Sequence, residues 1–273
     1  MPGQVSGTSF NDFCKVSHKS HSIEGLTAPD IQIIQSEKLE NKQISSEIAD
    51  KNPRLLLEVI EGPYLLNTKI NIDARGIMGN VRHDGITYFG QSLSSEFINN
   101  DFNFPEDENG VGKRHLLIKF NEKTSQYILR DLSDGTGTFI KITTPYKLSN
   151  GTIISFCDNH LSFSYDKISQ LAIFKFLEGC YANEKKAISL ASSPIILGRE
   201  PSCTIAFQAT SLSRKQCMIY RHNDDIFLED GDGKNGSTNG TWVFVDVDII
   251  IENGLIFKAG QSLFKASIVS SKK

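Results

Sequence analysis

The sequence predicts an all-β protein: two similar β-sandwiches in tandem, preceded by a largely irregular polar tail. Three observations carry that reading. From Arg54 onward, short apolar runs are separated by Gly, Asn and Asp turns every ~8 to 12 residues. No segment holds a helical period. The second half also repeats landmarks of the first in the same order.

Residues 1–53 are rich in Ser, Lys, Gln and Glu, with only isolated apolar residues, and read as a tail. Leu39, Ile44 and Ile48 mark one short amphipathic helix within it. The first domain spans 54–165, with strand signals LLLEVI, ITYF, HLLIKF, YILRDL, TFIKI, TIISF and LSFSY. The second spans 170–269, with LAIFKF, PIILG, CMIY, IFLED, TWVFV and LIFK, and the boundary falls near Asp166–Gln170. Runs of this length and spacing suit sandwiches or barrels. Glu61-Gly62-Pro63-Tyr64 answers Glu178-Gly179-Cys180-Tyr181, and Gly137-Thr138-Phe139-Ile140 answers Gly240-Thr241-Trp242-Val243. Asn150-Gly151 and Asn253-Gly254 then follow Thr138 and Thr241 at the same distance, 12 residues. The first copy carries about 16 extra residues between its Glu-Gly pair and Lys113-Arg114-His115.

Composition narrows the function. At 273 residues the chain has room for two domains that each bury a core. A net charge of −3 gives no global basic excess, which argues against a nucleic-acid coat but leaves room for a local cationic pocket. No run approaches the ~18 apolar residues of a membrane span, and the N-terminus lacks the apolar core of a secretory signal. Cys14, Cys157, Cys180, Cys203 and Cys217 are odd in number and scattered, as expected for mostly buried thiols in a reducing compartment. The expected location is intracellular, in cytoplasm or nucleus, with cytoskeletal or organelle assemblies open.

The second copy contains Gly198-Arg199, then Ser213-Arg214-Lys215-Gln216, then Ser237-Thr238-Asn239-Gly240-Thr241. These residue types build an anion site from loops. Arg199 offers a planar fork to two phosphate oxygens, Ser213 a hydroxyl, and Arg214 a second cation. Asn239 can hold a peptide backbone through its amide, and the glycine beside it permits an unusual turn. The order and spacing of these elements are similar to the signature of the forkhead-associated (FHA) domain family, and residues 170–269 resemble it throughout. The resemblance implies a sandwich whose apical loops bind phosphothreonine peptides. By it, Arg199, Ser213 and Arg214 match the phosphate-contacting positions, and Thr238 and Asn239 the loop that holds the ligand backbone. Gly198, Gly240 and Thr241 match loop-shaping positions. Gln216 stands where the family has His, a residue that braces the loop.

The first copy departs at each gripping position. Gly112 stands in place of the serine, although His115 keeps the family's His. Gly90-Gln91 and Gly79-Asn80 both fit the Gly-Arg pair, and the local texture of ITYFGQS favours Gly90-Gln91. Thr136 replaces the asparagine. This copy resembles an FHA fold whose phosphate site is disabled.

Other motifs lack their context. Gly231-x-Gly233-x-x-Gly236 leads into a turn and a β-rich run, not the helix a dinucleotide site needs. Gly110-Val111-Gly112-Lys113-Arg114 lacks the leading glycine and the Ser/Thr of a P-loop. Asp230-x-Asp232 begins like a calcium loop, but Thr241 sits where a bidentate carboxylate belongs. No metal ligands, cofactor motif or catalytic set can be nominated, so the expectation is a binding protein and not an enzyme. Its expected partner is a threonine-phosphorylated protein, without nucleic-acid binding or membrane insertion. The competing expectation is a structural assembly subunit that uses both sandwiches, and the tail, for packing. In the tail, Thr27-Ala28-Pro29-Asp30 resembles the Thr-x-x-Asp pattern that several FHA domains favour once phosphorylated.

Overall fold

The structure, a computed structural model, describes residues 51–77, 84–92 and 99–270. The tail, with its expected helix and Thr27–Asp30, lies outside the described residues, as does Gly79-Asn80. The first half supplies β1 (Arg54–Glu61), β2 (Lys69–Asp73), β3 (Gly76–Ile77), β4 (Ile86–Gly90), β5 (Phe102–Asn103), β6 (Leu116–Asn121), β7 (Gln126–Asp131), β8 (Thr138–Lys141), β9 (Tyr146–Lys147), β10 (Ile153–Phe156) and β11 (Asn159–Asp166). The second supplies β12 (Leu171–Glu178), β13 (Lys185–Ser189), β14 (Ile195–Gly198), β15 (Ile205–Ala206), β16 (Cys217–His222), β17 (Asp225–Asp230), β18 (Trp242–Phe244), β19 (Ile249–Ile250), β20 (Ile256–Ala259) and β21 (Ser262–Val269). A 3-10 turn, Leu190–Ser192, lies between β13 and β14. Every apolar run read from the sequence forms a strand, and no helix among the described residues is long and apolar enough to cross a membrane.

The sequence repeat divides at Asp166–Gln170, but the sheets do not. One 11-stranded sheet runs β13-β12-β11-β10-β18-β8-β20-β21-β1-β2-β3. A five-stranded sheet, β19-β7-β6-β4-β5, contains first-half strands plus β19, and its counterpart, β15-β14-β16-β17-β9, contains second-half strands plus β9. Each sandwich therefore takes its last three strands from the other half. We call lobe A the sandwich of β1–β8 with β19–β21, and lobe B that of β12–β18 with β9–β11. All of it lies within one compact unit.

The exchange is written into both cores. In lobe A, β1 alternates buried Leu55, Leu57 and Val59 with outward residues and pairs antiparallel with β21. Phe264 of β21 packs edge-on against Phe89 and Phe104 of the first half, at 6.4 and 5.9 Å between ring centres. In lobe B, Phe156 meets Phe207 at 5.5 Å and Phe163 meets Phe174 at 5.8 Å. Each of these phenylalanines is buried and contributes about 1.5–3 kcal/mol. The halves meet at β8 and β18, paired as Phe139↔Phe244, Ile140↔Val243 and Lys141↔Trp242. Since Thr138 corresponds to Thr241, this register places a pseudo-twofold axis between Ile140 and Val243.

The two possible partners of β1 distinguish this arrangement from an unexchanged one. Glu58 lies opposite Lys265 of β21. The hairpin β10–β11 has the same register as β20–β21, which makes Ser162 the counterpart of Lys265. A short bis-maleimide should therefore join Glu58→Cys to Lys265→Cys and leave the Glu58→Cys/Ser162→Cys pair unlinked, as read by peptide mass spectrometry. The reverse result would overturn the exchanged topology.

Candidate functional site

The site grows from the end of β14. A Cβ at Gly198 would lie 2.2 Å from the Arg214 carbonyl oxygen, so only glycine lets the two loops close. Arg199 and Glu200 then donate their N–H groups to the carbonyls of Ser213 and Arg214, both at 3.1 Å. This ladder fixes Arg199 beside Ser213, Arg214 and Lys215. The third loop enters through Ser213, whose Oγ accepts the Thr238 N–H at 2.9 Å and donates to Thr238 Oγ1 at 3.2 Å. Arg199, Ser213, Arg214, Lys215 and Thr238 line one cleft of about 770 Å³. The side chains of Arg199, Arg214 and Lys215 make no hydrogen bond or ion pair among the described residues.

Gln216 lies beneath the cleft and is fully buried. Its Oε1 accepts the Ser213 N–H at 3.2 Å, while Nε2 donates to Ser237 Oγ (2.8 Å), the Gly240 carbonyl (3.0 Å) and Thr241 Oγ1 (3.4 Å). A single amide thus ties the second loop to the third. Asp230 completes the brace, and the sequence reading missed it. Its carboxylate accepts the Ser237 N–H (2.8 Å), the Ser237 hydroxyl (2.7 Å) and the Thr241 hydroxyl (2.7 Å). Asp232 accepts the N–H groups of Asn235 and Lys234, which hold its carboxyl below the usual range. Both carboxylates of the calcium-like stretch are spent on the loop.

Asn239 stands beside the cleft rather than on its lining. Its Nδ2 donates to the Ser211 carbonyl at 3.1 Å and lies 3.4 Å from Cys157 Sγ. Cys157 sits in the β10–β11 turn, so the first half supports the 237–241 loop of the second half. Lys141 does the same from the end of β8: a Cβ at Gly240 would fall 2.6 Å from its Cε. Nothing in the sequence marks either residue, because their contacts exist only through the exchange. Of the four described cysteines, Cys203 and Cys217 are buried with thiols pushed up by desolvation; Cys157 is half-buried and Cys180 exposed, a more open set than the expected buried thiols.

Lobe A repeats the scaffold without the grip. Gln91 donates its N–H to the Gly112 carbonyl at 2.9 Å, which aligns Gly90-Gln91 with Gly198-Arg199 and Gly112 with Ser213. The Gln91 amide turns into its own loop, donating to the carbonyls of Pro105 (2.6 Å) and Glu106 (2.8 Å). A side chain at Gly112 would collide with Asp134, whose Cγ would lie 2.3 Å from the added Cβ. The Asp134 carboxylate accepts the Arg114 N–H at 3.0 Å, so an anion already sits where lobe B presents a hydroxyl. Arg114 lays its guanidinium over Tyr88, 4.1 Å from the ring centre. The loop is also shorter, with seven residues from Asp131 to Thr138 against eleven from Asp230 to Thr241.

His115 and Gln216 show how two side chains fill one role. His115 Nδ1 accepts the Gly112 N–H at 3.2 Å, as Gln216 Oε1 accepts that of Ser213. Burial pushes the His115 pKa down and outweighs the nearby Asp131, which suits a neutral ring with an unprotonated Nδ1.

A model of the FHA domain family matches residues 87–157 and 195–260, together half of the chain. The chain belongs to that family, whose members are generally phosphothreonine-binding protein-interaction modules. No curated protein matches the chain.

Two substitutions test the brace. Gln216→Ala should destabilise the protein by about 1–3 kcal/mol in thermal melts, because buried partners lose their donor, whereas Gln216→His should retain most of that stability. For His115 the folded pKa is lowered, so its contribution is complete above about pH 6.5 and declines as pH falls toward the depressed folded value. His115→Gln should flatten that part of the stability profile, leaving the part due to His160, which is also depressed by burial. A profile identical to that of the parent would refute the assignment.

Proposed function

We propose that this FHA protein binds threonine-phosphorylated protein segments through lobe B, at Arg199, Ser213, Arg214, Thr238 and Asn239. The observation that carries the reading is the convergence of three unpaired cations, Arg199, Arg214 and Lys215, on one cleft beside the hydroxyls of Ser213 and Thr238. Phosphothreonine brings about −1.5 to −2 charge and three acceptor oxygens, which match a guanidinium fork, a second cation and a hydroxyl. Gln216, Gly198, Gly240 and Thr241 shape the loops that hold these donors. In lobe A, the inward Gln91 and Gly112 supply neither the fork nor the hydroxyl, and Asp134 adds a negative charge.

A second reading is supported by the exchange itself. Two lobes that share strands form a rigid platform, which suits a structural subunit making phospho-independent contacts through lobe A. The two roles are compatible and separate on one residue. With the intact chain, Arg199→Ala should weaken phosphothreonine-peptide binding by about 30-fold or more, equivalent to about 2–5 kcal/mol, without a change in melting temperature. An unchanged affinity would remove lobe B from phosphate recognition and leave only the platform.

Lobe A gives a complementary expectation. In a chain carrying Arg199→Ala, phosphorylated and plain peptides should bind alike, with only weak, salt-sensitive attraction to Lys113 and Arg114. Saturable binding that vanishes on dephosphorylation would place a phosphate site in lobe A.

A further inference from the structure

Where the first copy diverges from the second, another cleft lies along the seam, lined by residues of both lobes. At the corresponding loop of lobe B, two side chains contact Asn239: the Cys157 thiol lies 3.4 Å from its Nδ2, and Trp242 Nε1 donates to its carbonyl at 3.2 Å. In lobe A, Gly260 takes the place of Cys157, Phe139 that of Trp242 and Thr136 that of Asn239, on the shorter loop. What remains is a cleft of about 790 Å³ that includes Thr136, Phe139, Phe244, His160, Leu177 and Lys258. That volume lies within the range of pockets that enclose small ligands or a few side chains.

Lys258 gives this cleft its chemistry. Its Nζ donates to Ser155 Oγ at 3.2 Å and lies 4.6 and 5.4 Å from the ring centres of Phe139 and Trp242. Among the described residues no carboxylate pairs with it. Asp131 spends its oxygens on the N–H groups of Ser133 and Thr138, both at 2.7 Å, and Glu178 is 71% exposed and 3.7 Å from His160 Nε2. Burial lowers the Lys258 pKa, the cost of holding a cation against aromatic rings without a counter-ion. His160 is also depressed by burial, and Lys258 is the one lysine or arginine on the lining, which Asp131 and Glu178 share. One monoanion with an apolar flank would neutralise the ammonium and cover Phe139, Phe244 and Leu177 in the same step.

We propose that this cleft is a binding site for a carboxylate next to an apolar side chain, as in an unphosphorylated acidic–hydrophobic protein segment. The site is independent of the phosphate cleft in lobe B. Trp242, the chain's single tryptophan, lies beside Lys258 and provides the readout. Titration of the intact protein with 4-phenylbutyrate should give a saturable change in tryptophan emission. The uncharged 4-phenylbutanamide should bind at least 10-fold more weakly. Lys258→Met should abolish the response, Lys258→Arg should keep it, and Arg199→Ala should leave it unchanged. Leu177, 37% exposed at the cleft, supplies a variant that does not touch the seam: Leu177→Glu should suppress the response at an unaltered melting temperature, whether or not Lys258→Met folds. Equal binding of acid and amide, an undiminished response in Leu177→Glu, or loss of the response in Arg199→Ala would overturn the site.

Discussion

The antiparallel pairing of β8 with β18 is the constraint on which the rest of the structure depends. In this ladder Ile140 and Val243 face inward at the pseudo-twofold axis, and the chain leaves each strand toward the opposite lobe. The Ile142 N–H donates to the Thr241 carbonyl and the Val245 N–H to the Thr138 carbonyl, both at 2.9 Å, so the crossing segments extend the ladder. On the outward side, Phe139 and Phe244 meet at 5.5 Å, and Lys141 and Lys258 lie over Trp242. Once these strands are paired, β9–β11 can complete only lobe B and β19–β21 only lobe A. An exchange of equivalent elements preserves most native contacts, which is why it is energetically accessible.

Shared strands also explain how far the two copies have diverged. The supporting residues persist under different names: Gly90 and Gly198 permit the same close approach, and His115 and Gln216 accept the same N–H. The residues proposed to meet the ligand in lobe B have no such counterpart, because Gly112, Gln91 and Thr136 serve local packing in lobe A. Scaffold and grip are physically separable. The first requires only an acceptor of the right reach in a dry place, whereas the second requires a specific charge at an exposed position.

Much of this was legible in the sequence. Runs such as LLLEVI and LAIFKF alternate with the period of a half-buried strand, and the order Gly198-Arg199, Ser213-Arg214, Thr238-Asn239 identified the loop cluster. Lys185–Ser189 escaped notice because it is an edge strand whose residues are polar or half-exposed, and Lys69–Asp73 because it is short and carries charge at both ends. Asp230 stands out in the sequence only as the start of a calcium-like stretch that lacks its closing carboxylate, since its hydroxyl partners lie seven and eleven residues away. The exchange itself left no mark. Phe163 and Phe264 have the same pattern around them, and an alternating strand is equally apolar whichever copy it packs against. Pattern specifies the face that is buried, not the partner that buries it.

The exchange turns sequence distance into physical coupling. Asn239 is held between the Ser211 carbonyl and Cys157, and Gly240 lies against Lys141, so two first-half residues help to fix the 237–241 loop of the second half. The hold on a ligand backbone proposed for Asn239 depends on the β10–β11 turn, and that turn on the pairing of β8 with β18. In the proposed function, the first half, whose own copy lacks the phosphate-gripping residues, therefore supports ligand binding through the β9–β11 strands it supplies to lobe B. Its degenerate loops are free to change, and its share of the seam is not.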